Sequence, residues 1–171
     1  MSVSDLFHDL LSAEIASRAG PLRIRRELAD DAPFRFALFC ESRPDLELLP
    51  DAVRGALMRQ QFLAQTAGYA AQFPGALNAI LERGGRPVGR LVLVPLPGQL
   101  RIVDIAIASR CRREGTGGAT LKALLEFASS KGLAIRLRVS TSNPDALRFY
   151  ARLGFNGVCD DEANIELSWT P

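Results

Sequence analysis

One segment constrains this chain more than any other: Ile105-Ala-Ile-Ala-Ser-Arg-Cys-Arg-Arg-Glu-Gly-Thr-Gly-Gly-Ala-Thr-Leu121. An apolar β-type run enters a loop holding Gly115, Gly117 and Gly118, and a helical pattern starts at once, with Leu121, Leu124, Leu125 and Ala128 on one face. Glycines let backbone N–H groups converge on an anion, and a helix N-terminus adds partial positive charge. Arg112 and Arg113 add fixed charge suited to phosphate oxygens. The segment reads as a pyrophosphate cradle.

Two familiar cradles fail on their own terms. A nucleoside-triphosphate P-loop ends in Gly-Lys-Ser/Thr, whereas Gly118 is followed by Ala119. A dinucleotide fingerprint needs Gly or Ala three residues after its second glycine; that position is Thr120, and the β-rich segment ahead does not suit a doubly wound sheet.

The order of elements narrows the fold. Ser4 to Arg18 carries Leu6, Leu10, Leu11 and Ile15 at helical spacing and predicts an amphipathic lead-in helix, expected to cover the domain or a second copy of the chain in a homodimer. Leu22 to Leu28 alternates as a strand, and residues 32–42 read as helix. A longer helix is expected from Asp51, a candidate N-cap, to Gln72. Leu77–Arg83 and Val88–Leu96 flank a Gly84-Gly85-Arg86-Pro87 turn, and Leu100–Ala108 follows, which predicts an antiparallel meander. Beyond the helix at Thr116–Lys131, ended by Gly132, come a strand at Leu133–Val139, a short helix at Asn143–Leu153, and strands at Phe155–Val158 and Ile165–Trp169.

A second motif gives the loop its meaning. Arg112-Arg-Glu-Gly115-Thr-Gly117 resembles the Arg/Gln-x-x-Gly-x-Gly/Ala signature of the Gcn5-related N-acetyltransferase superfamily. Asn143-Pro-Asp-Ala146-Leu-Arg-Phe149-Tyr150, followed by Leu153-Gly154-Phe155, resembles that family's later Asn-x-x-Ala-x-x-Phe-Tyr signature. The resemblance covers nearly all the chain beyond the lead-in. It implies an α/β (α+β) single-domain fold: a mixed, mostly antiparallel, twisted sheet of about six to seven strands flanked by helices. The N-terminal helix is then an addition at residues 1–20, with the N-acetyltransferase domain at 21–171.

The resemblance also implies a site. The backbone of Ile105, Ala106 and Ile107 should pair with the pantetheine arm of acetyl-CoA, in a splay between the Leu100–Ala108 and Leu133–Val139 strands. Arg112, Arg113, Glu114, Gly115, Thr116, Gly117 and Gly118 should hold the pyrophosphate. Asn143, with Ala146 beside it, should contact the pantetheine or order the loop before its helix. Tyr150 should protonate the departing thiolate, since a phenol pKa near 10 lies just above that of a thiol; otherwise it is a buried aromatic. Glu114 stands where the family commonly has a small residue, which is tolerable if it faces solvent or pairs with an arginine. Ser109 stands where proline is frequent.

Acetylation of an amine requires the neutral amine. Asp104 interrupts the apolar run Ile102-Val103-Asp104-Ile105 and is the candidate base, or else a structural or acceptor-holding carboxylate. Gln61, Gln65 and Tyr69 recur at helical spacing as a polar ridge, either an acceptor-binding face or a solvated one. Arg136 and Arg138 alternate on one strand face, to meet an anion or to form surface ion pairs.

Composition excludes other classes. A net charge of +2 over 171 residues argues for neither nucleic acid nor a membrane surface as partner. The cysteines Cys40, Cys111 and Cys159 lack metal-ligand spacing, and the one histidine is His8, so no metal is expected. Scattered free cysteines, no membrane-length apolar run and no signal-peptide pattern point to the cytoplasm. The expected activity is acetyl-CoA-dependent N-acetyl transfer to a primary amine of a small molecule or peptide. Its alternatives are a non-catalytic acyl-CoA sensor on the same fold and a protein N-terminal or lysine acetyltransferase.

Overall fold

The computed structural model describes Phe7, Leu10, Leu11 and residues 14–171. One eight-stranded sheet organises the chain, in the order β1-β2-β3-β4-β5-β6-β8-β7. The strands are β1 (Glu14–Ile15), β2 (Leu22–Arg26), β3 (Leu77–Arg83), β4 (Arg86–Leu96), β5 (Gln99–Ile107), β6 (Ala134–Ser140), β7 (Asn156–Asp160) and β8 (Asn164–Trp169). The helices are α1 (Ala32–Glu41), α2 (Asp51–Gln72), α3 (Thr116–Ser130) and α4 (Pro144–Arg152). Every neighbouring pair is antiparallel except β5 and β6, which are joined by the α3 crossover and run parallel.

The expected meander is β3-β4-β5, with Gly84-Gly85 as its first turn. The sheet has one strand more than the six to seven expected, because β1 pairs Ile15 with Leu22 and Glu14 with Arg23. This corrects the lead-in helix. Phe7, Leu10 and Leu11 are helical, but the chain is extended by Glu14, where backbone pairing with β2 replaces the helical bonds and buries Ile15. The part of that expectation on residues 4–6, 8, 9, 12 and 13 lies outside the described residues. Phe7, Leu10 and Ile15 join the main core. Asp51 is the first residue of α2; Pro50 occupies the N-cap position.

Strand alternation divides the sheet into two faces. On one, Leu91 and Leu93 of β4 and Ala79 and Leu81 of β3 pack with Leu121, Leu124 and Phe127 of α3. Burying each such leucine or phenylalanine contributes about 1.5–3 kcal/mol. On the other face lie Ile80, Val92 and Val94, beneath α1 and α2. No helix among the described residues is long and apolar enough to cross a membrane.

Candidate active site

Two rows of side chains cross the α1/α2 face of the sheet. The register sets Asn78 opposite Val92 and Val92 opposite Asp104; one step along, Ile80 stands opposite Arg90 and Arg90 opposite Ala106. Asn78, Val92, Asp104, Arg90 and Ala106 of these rows floor a cavity of ≈ 170 Å³, roofed by α1 and α2 with Phe39, Phe62 and Tyr69 among its walls. Asp104 reaches this face through an irregularity. Leu93 pairs with Ile102 and Val92 with Asp104, so Val103 is the extra residue of a β-bulge. In a regular strand residues two apart share a face; the bulge reverses the phase, leaving Ile102 in the core and Asp104 in the cavity.

The carboxylate is held by a charged network that sequence reasoning missed. Arg90 donates from Nη1 to Asp104 Oδ2 (3.1 Å), from Nε to Glu27 Oε2 (3.0 Å) and from Nη2 to Asn78 Oδ1 (2.9 Å). Glu27 Oε1 pairs with Arg35 Nη1 at 2.7 Å, and Arg35 Nη2 donates to Thr66 Oγ1 at 3.1 Å. Burial pushes Asp104 above the ordinary aspartate range, and the Arg90 charge and hydrogen bond oppose that rise. No local motif signals Glu27, Arg35 or Arg90, since they meet only through sheet register and the path of α1.

Two phenols feel this carboxylate. Tyr69, in the cavity wall, has its pKa raised by burial and then by the Asp104 charge. Tyr150 is pushed up to about 12, by burial first and by Asp104 second. It is 8% exposed, with its ring against Phe149 and Phe155 in the main core. Tyr150 is thus a buried aromatic, and its pKa lies above the value near 10 assumed from sequence. Gln65 and Tyr69 line the cavity; Gln61, on the same ridge, does not.

β5 and β6 part where the resemblance implies. Their parallel pairing runs from Gln99 and Ala134 to Ile102 and Leu137 and ends there, while β5 continues to Ile107 with β4 on its other side. The departure coincides with the bulge at Val103, so one irregularity opens the splay and turns Asp104. Close to its end β5 lies tight against β4: a Cβ on Gly89 would sit 2.7 Å from the Ala106 carbonyl oxygen.

The glycine-arginine loop then curls into α3. Arg113 takes φ +62°, rare for a residue with a side chain, and Gly115 takes φ +82° at the N-cap. The first helical bond runs from Ala119 N–H to the Gly115 carbonyl at 2.9 Å, so the N–H groups of Thr116, Gly117 and Gly118 precede any intrahelical acceptor. Arg112 Nε donates to the Ile107 carbonyl at 3.0 Å, tying the loop to the end of β5. Glu114 meets the condition set by the sequence, through an unforeseen arginine: Arg83, at the end of β3, donates to Glu114 Oε2 (2.7 Å) and to Thr116 Oγ1 (2.7 Å).

The remaining residues singled out from the sequence have local partners of their own. Asn143 Oδ1 accepts the Ala146 N–H at 3.1 Å and caps α4, the loop-ordering alternative. Arg136 and Arg138 pair with Glu166 and Asp161. Cys111 is buried in the core.

Known proteins share this fold. A 118-residue stretch, 67% of this chain and 74% of its counterpart, is 29% identical to an uncharacterised N-acetyltransferase of Methanocaldococcus jannaschii. The fold matches the PaiA N-acetyltransferase of Thermoplasma acidophilum, solved with coenzyme A, at a TM-score of 0.64 and 14% identity, covering 88% of this chain and 99% of that one. It also matches the ribosomal-protein-S18-alanine N-acetyltransferase of Escherichia coli at 0.62 and 21% identity, covering 87% and 93%. Residues 38–155 match the acetyltransferase (GNAT) family, and the chain belongs to that family.

Proposed function

We propose that the protein transfers an acetyl group from acetyl-CoA to a primary amine of a small molecule or peptide by direct attack. The observation that carries this reading is the place of Asp104. It lies in the wall of a cavity on the strand that parts from β6 and leads into the glycine-arginine loop. A carboxylate at that junction stands between an acceptor space and the strand edge suited to pantetheine.

The family membership and the coenzyme A bound by the Thermoplasma relative support acetyl-CoA as the donor. The N–H groups ahead of α3, with Arg112 and Arg113, suit its pyrophosphate. The β5 edge beyond Ile102 suits the amide groups of its arm. In the reading proposed, Asp104 takes a proton from the bound ammonium, directly or through water, and the neutral amine attacks the thioester carbon. The carbon–sulfur bond breaks and Tyr150 gives its proton to the departing sulfur; the second proton, lost by the nitrogen once the new bond has formed, restores the Tyr150 phenol through water, and the proton held by Asp104 returns to solvent. With a pKa of about 12, Tyr150 stays protonated at neutral pH and is available as the donor.

Mass spectrometry of an amine panel after incubation with acetyl-CoA tests the reading. An N-acetylated product formed by the wild type and lost in Asp104→Asn supports it. Product at an unchanged rate in Asp104→Asn removes Asp104 as the base.

A further inference from the structure

The cavity beside Asp104 has a charge pattern of its own. Four formal charges stand around it: Glu27 and Asp104 against Arg35 and Arg90. Both Glu27 oxygens are engaged, Oε1 by Arg35 at 2.7 Å and Oε2 by Arg90 at 3.0 Å. Arg90 also engages Asp104 Oδ2 at 3.1 Å, so of these four carboxylate oxygens only Asp104 Oδ1 is not held by an arginine of the network. The site offers one ammonium a carboxylate oxygen and offers a second ammonium none, while two guanidinium groups repel it.

Beyond these charges and the neutral polar groups of Ser42, Gln65, Thr66, Tyr69 and Asn78, the wall is apolar. Leu38, Phe39, Phe62, Ala70 and Ala76 face the charged row, and Phe62 also carries the Arg35 guanidinium 5.3 Å from its ring centre. Phe62 packs on Phe39 with ring centres 5.7 Å apart, giving a rigid aromatic corner. The ≈ 170 Å³ of space is room for on the order of ten waters, enough for a ring or a branched chain.

We propose that this cavity selects a monoamine with a compact apolar or aromatic body and discriminates against diamines and polyamines, because arginines already neutralise its carboxylates. The proposal rests on the reading of this cavity as the acceptor site. It makes Arg35 and Phe62 specificity-determining residues: Arg35 by cancelling the Glu27 charge, Phe62 by supplying the apolar wall.

Calorimetric titration of phenethylamine and of putrescine into the full chain saturated with coenzyme A separates the outcomes. Phenethylamine should bind at least roughly tenfold more tightly, a difference of about 1.4 kcal/mol. Arg35→Met, which keeps bulk over Phe62 but releases Glu27, should narrow that gap by strengthening putrescine binding; Arg35→Gln serves if the methionine variant fails to fold. Phe62→Ala should weaken phenethylamine while Phe62→Leu largely preserves it. Equal or tighter binding of putrescine to the wild type, no measurable phenethylamine binding, or a gap unmoved in the folded Arg35 variant would each overturn the proposal. Because the readout is binding, a protein that takes phenethylamine selectively yet forms no acetylated product would defeat the transferase reading and leave the selectivity intact.

Discussion

Ile102 and Asp104 are two residues apart on β5 yet lie on opposite faces of the sheet, Ile102 in the main core and Asp104 in the cavity under α1 and α2. The extra residue between them, Val103, reverses the alternation at the point where β6 ceases to pair. A carboxylate that would otherwise enter an apolar core, at a cost of several kcal/mol, is thereby delivered to Arg90 and the cavity.

The Arg90–Asp104 pair sets the pH at which Asp104 becomes a base. Burial raises the Asp104 pKa, and the Arg90 charge and hydrogen bond lower it, so removing the arginine leaves only the weaker Ile105 backbone hydrogen bond against the larger effect. Arg90→Met should therefore move the acidic limb of the kcat/KM–pH profile to higher pH, with the rate at low pH falling more than the rate above the limb. A limb at its wild-type position would show that Asp104 does not control it.

Tyr150 predicts the other side of that profile. Its pKa of about 12 keeps it protonated across the range in which enzymes are ordinarily assayed. Tyr150→Phe should lower kcat by about 10²–10⁴-fold while leaving the position of any basic limb below pH 10 unchanged. A basic limb that vanished in the variant would mean that Tyr150 ionises far more easily than its burial implies.

Gly89 holds β4 and β5 in close approach, with the Ala106 carbonyl oxygen 2.7 Å from where a Cβ would stand and Ile107 Cδ1 at 2.8 Å. Gly89→Ala should destabilise the protein by about 1–3 kcal/mol in chemical denaturation, as overpacking does. It should also weaken acetyl-CoA binding, since the displaced residues are the ones expected to pair with the pantetheine. Wild-type stability would show that the strands separate more freely than their packing indicates.

Arg83 neutralises the one carboxylate of the coenzyme loop. Arg83→Met leaves Glu114 uncompensated beside the expected pyrophosphate site and should raise the Kd for acetyl-CoA by roughly tenfold, as the loss of one charge-assisted contact does. Adding Glu114→Gln should recover much of that loss, a coupling that a double-mutant cycle measures directly. Gly117 gives an independent check on the same loop. A Cβ there meets only Ile107 Cγ1 at 3.7 Å, an ordinary contact, so Gly117→Ala should fold normally, whereas Gly117→Asp should abolish tight binding through charge. Equal binding by the two Gly117 variants would contradict the anion cradle.

What the sequence made legible was local. The loop from Arg112 to Gly118 and the cap at Asn143 are each set by consecutive residues, and both appear where they were read. β3 matches to the residue and α2 to within its N-cap, because Pro, Gly and a change of periodicity mark their ends. The Arg90 network was not legible. Asn78, Arg90 and Asp104 become neighbours through strand register, and Glu27 and Arg35 arrive from segments more than forty residues away. The bulge at Val103 leaves no mark in an apolar run, so Asp104 could be suspected but its face could not be assigned. The lead-in helix was overextended because Ile15 suits a helical stripe and a strand edge equally well.

The most direct measurement is free-thiol release from acetyl-CoA across a panel of amines, amino acids, polyamines, aminoglycosides and peptides, for the wild type and for Tyr150→Phe. Release that depends on an acceptor and collapses in Tyr150→Phe, with acetyl-CoA binding retained, is the result predicted. Binding of acetyl-CoA with no acceptor-dependent release from any class, or release undiminished in the variant, would contradict the mechanism proposed for Asp104 and Tyr150.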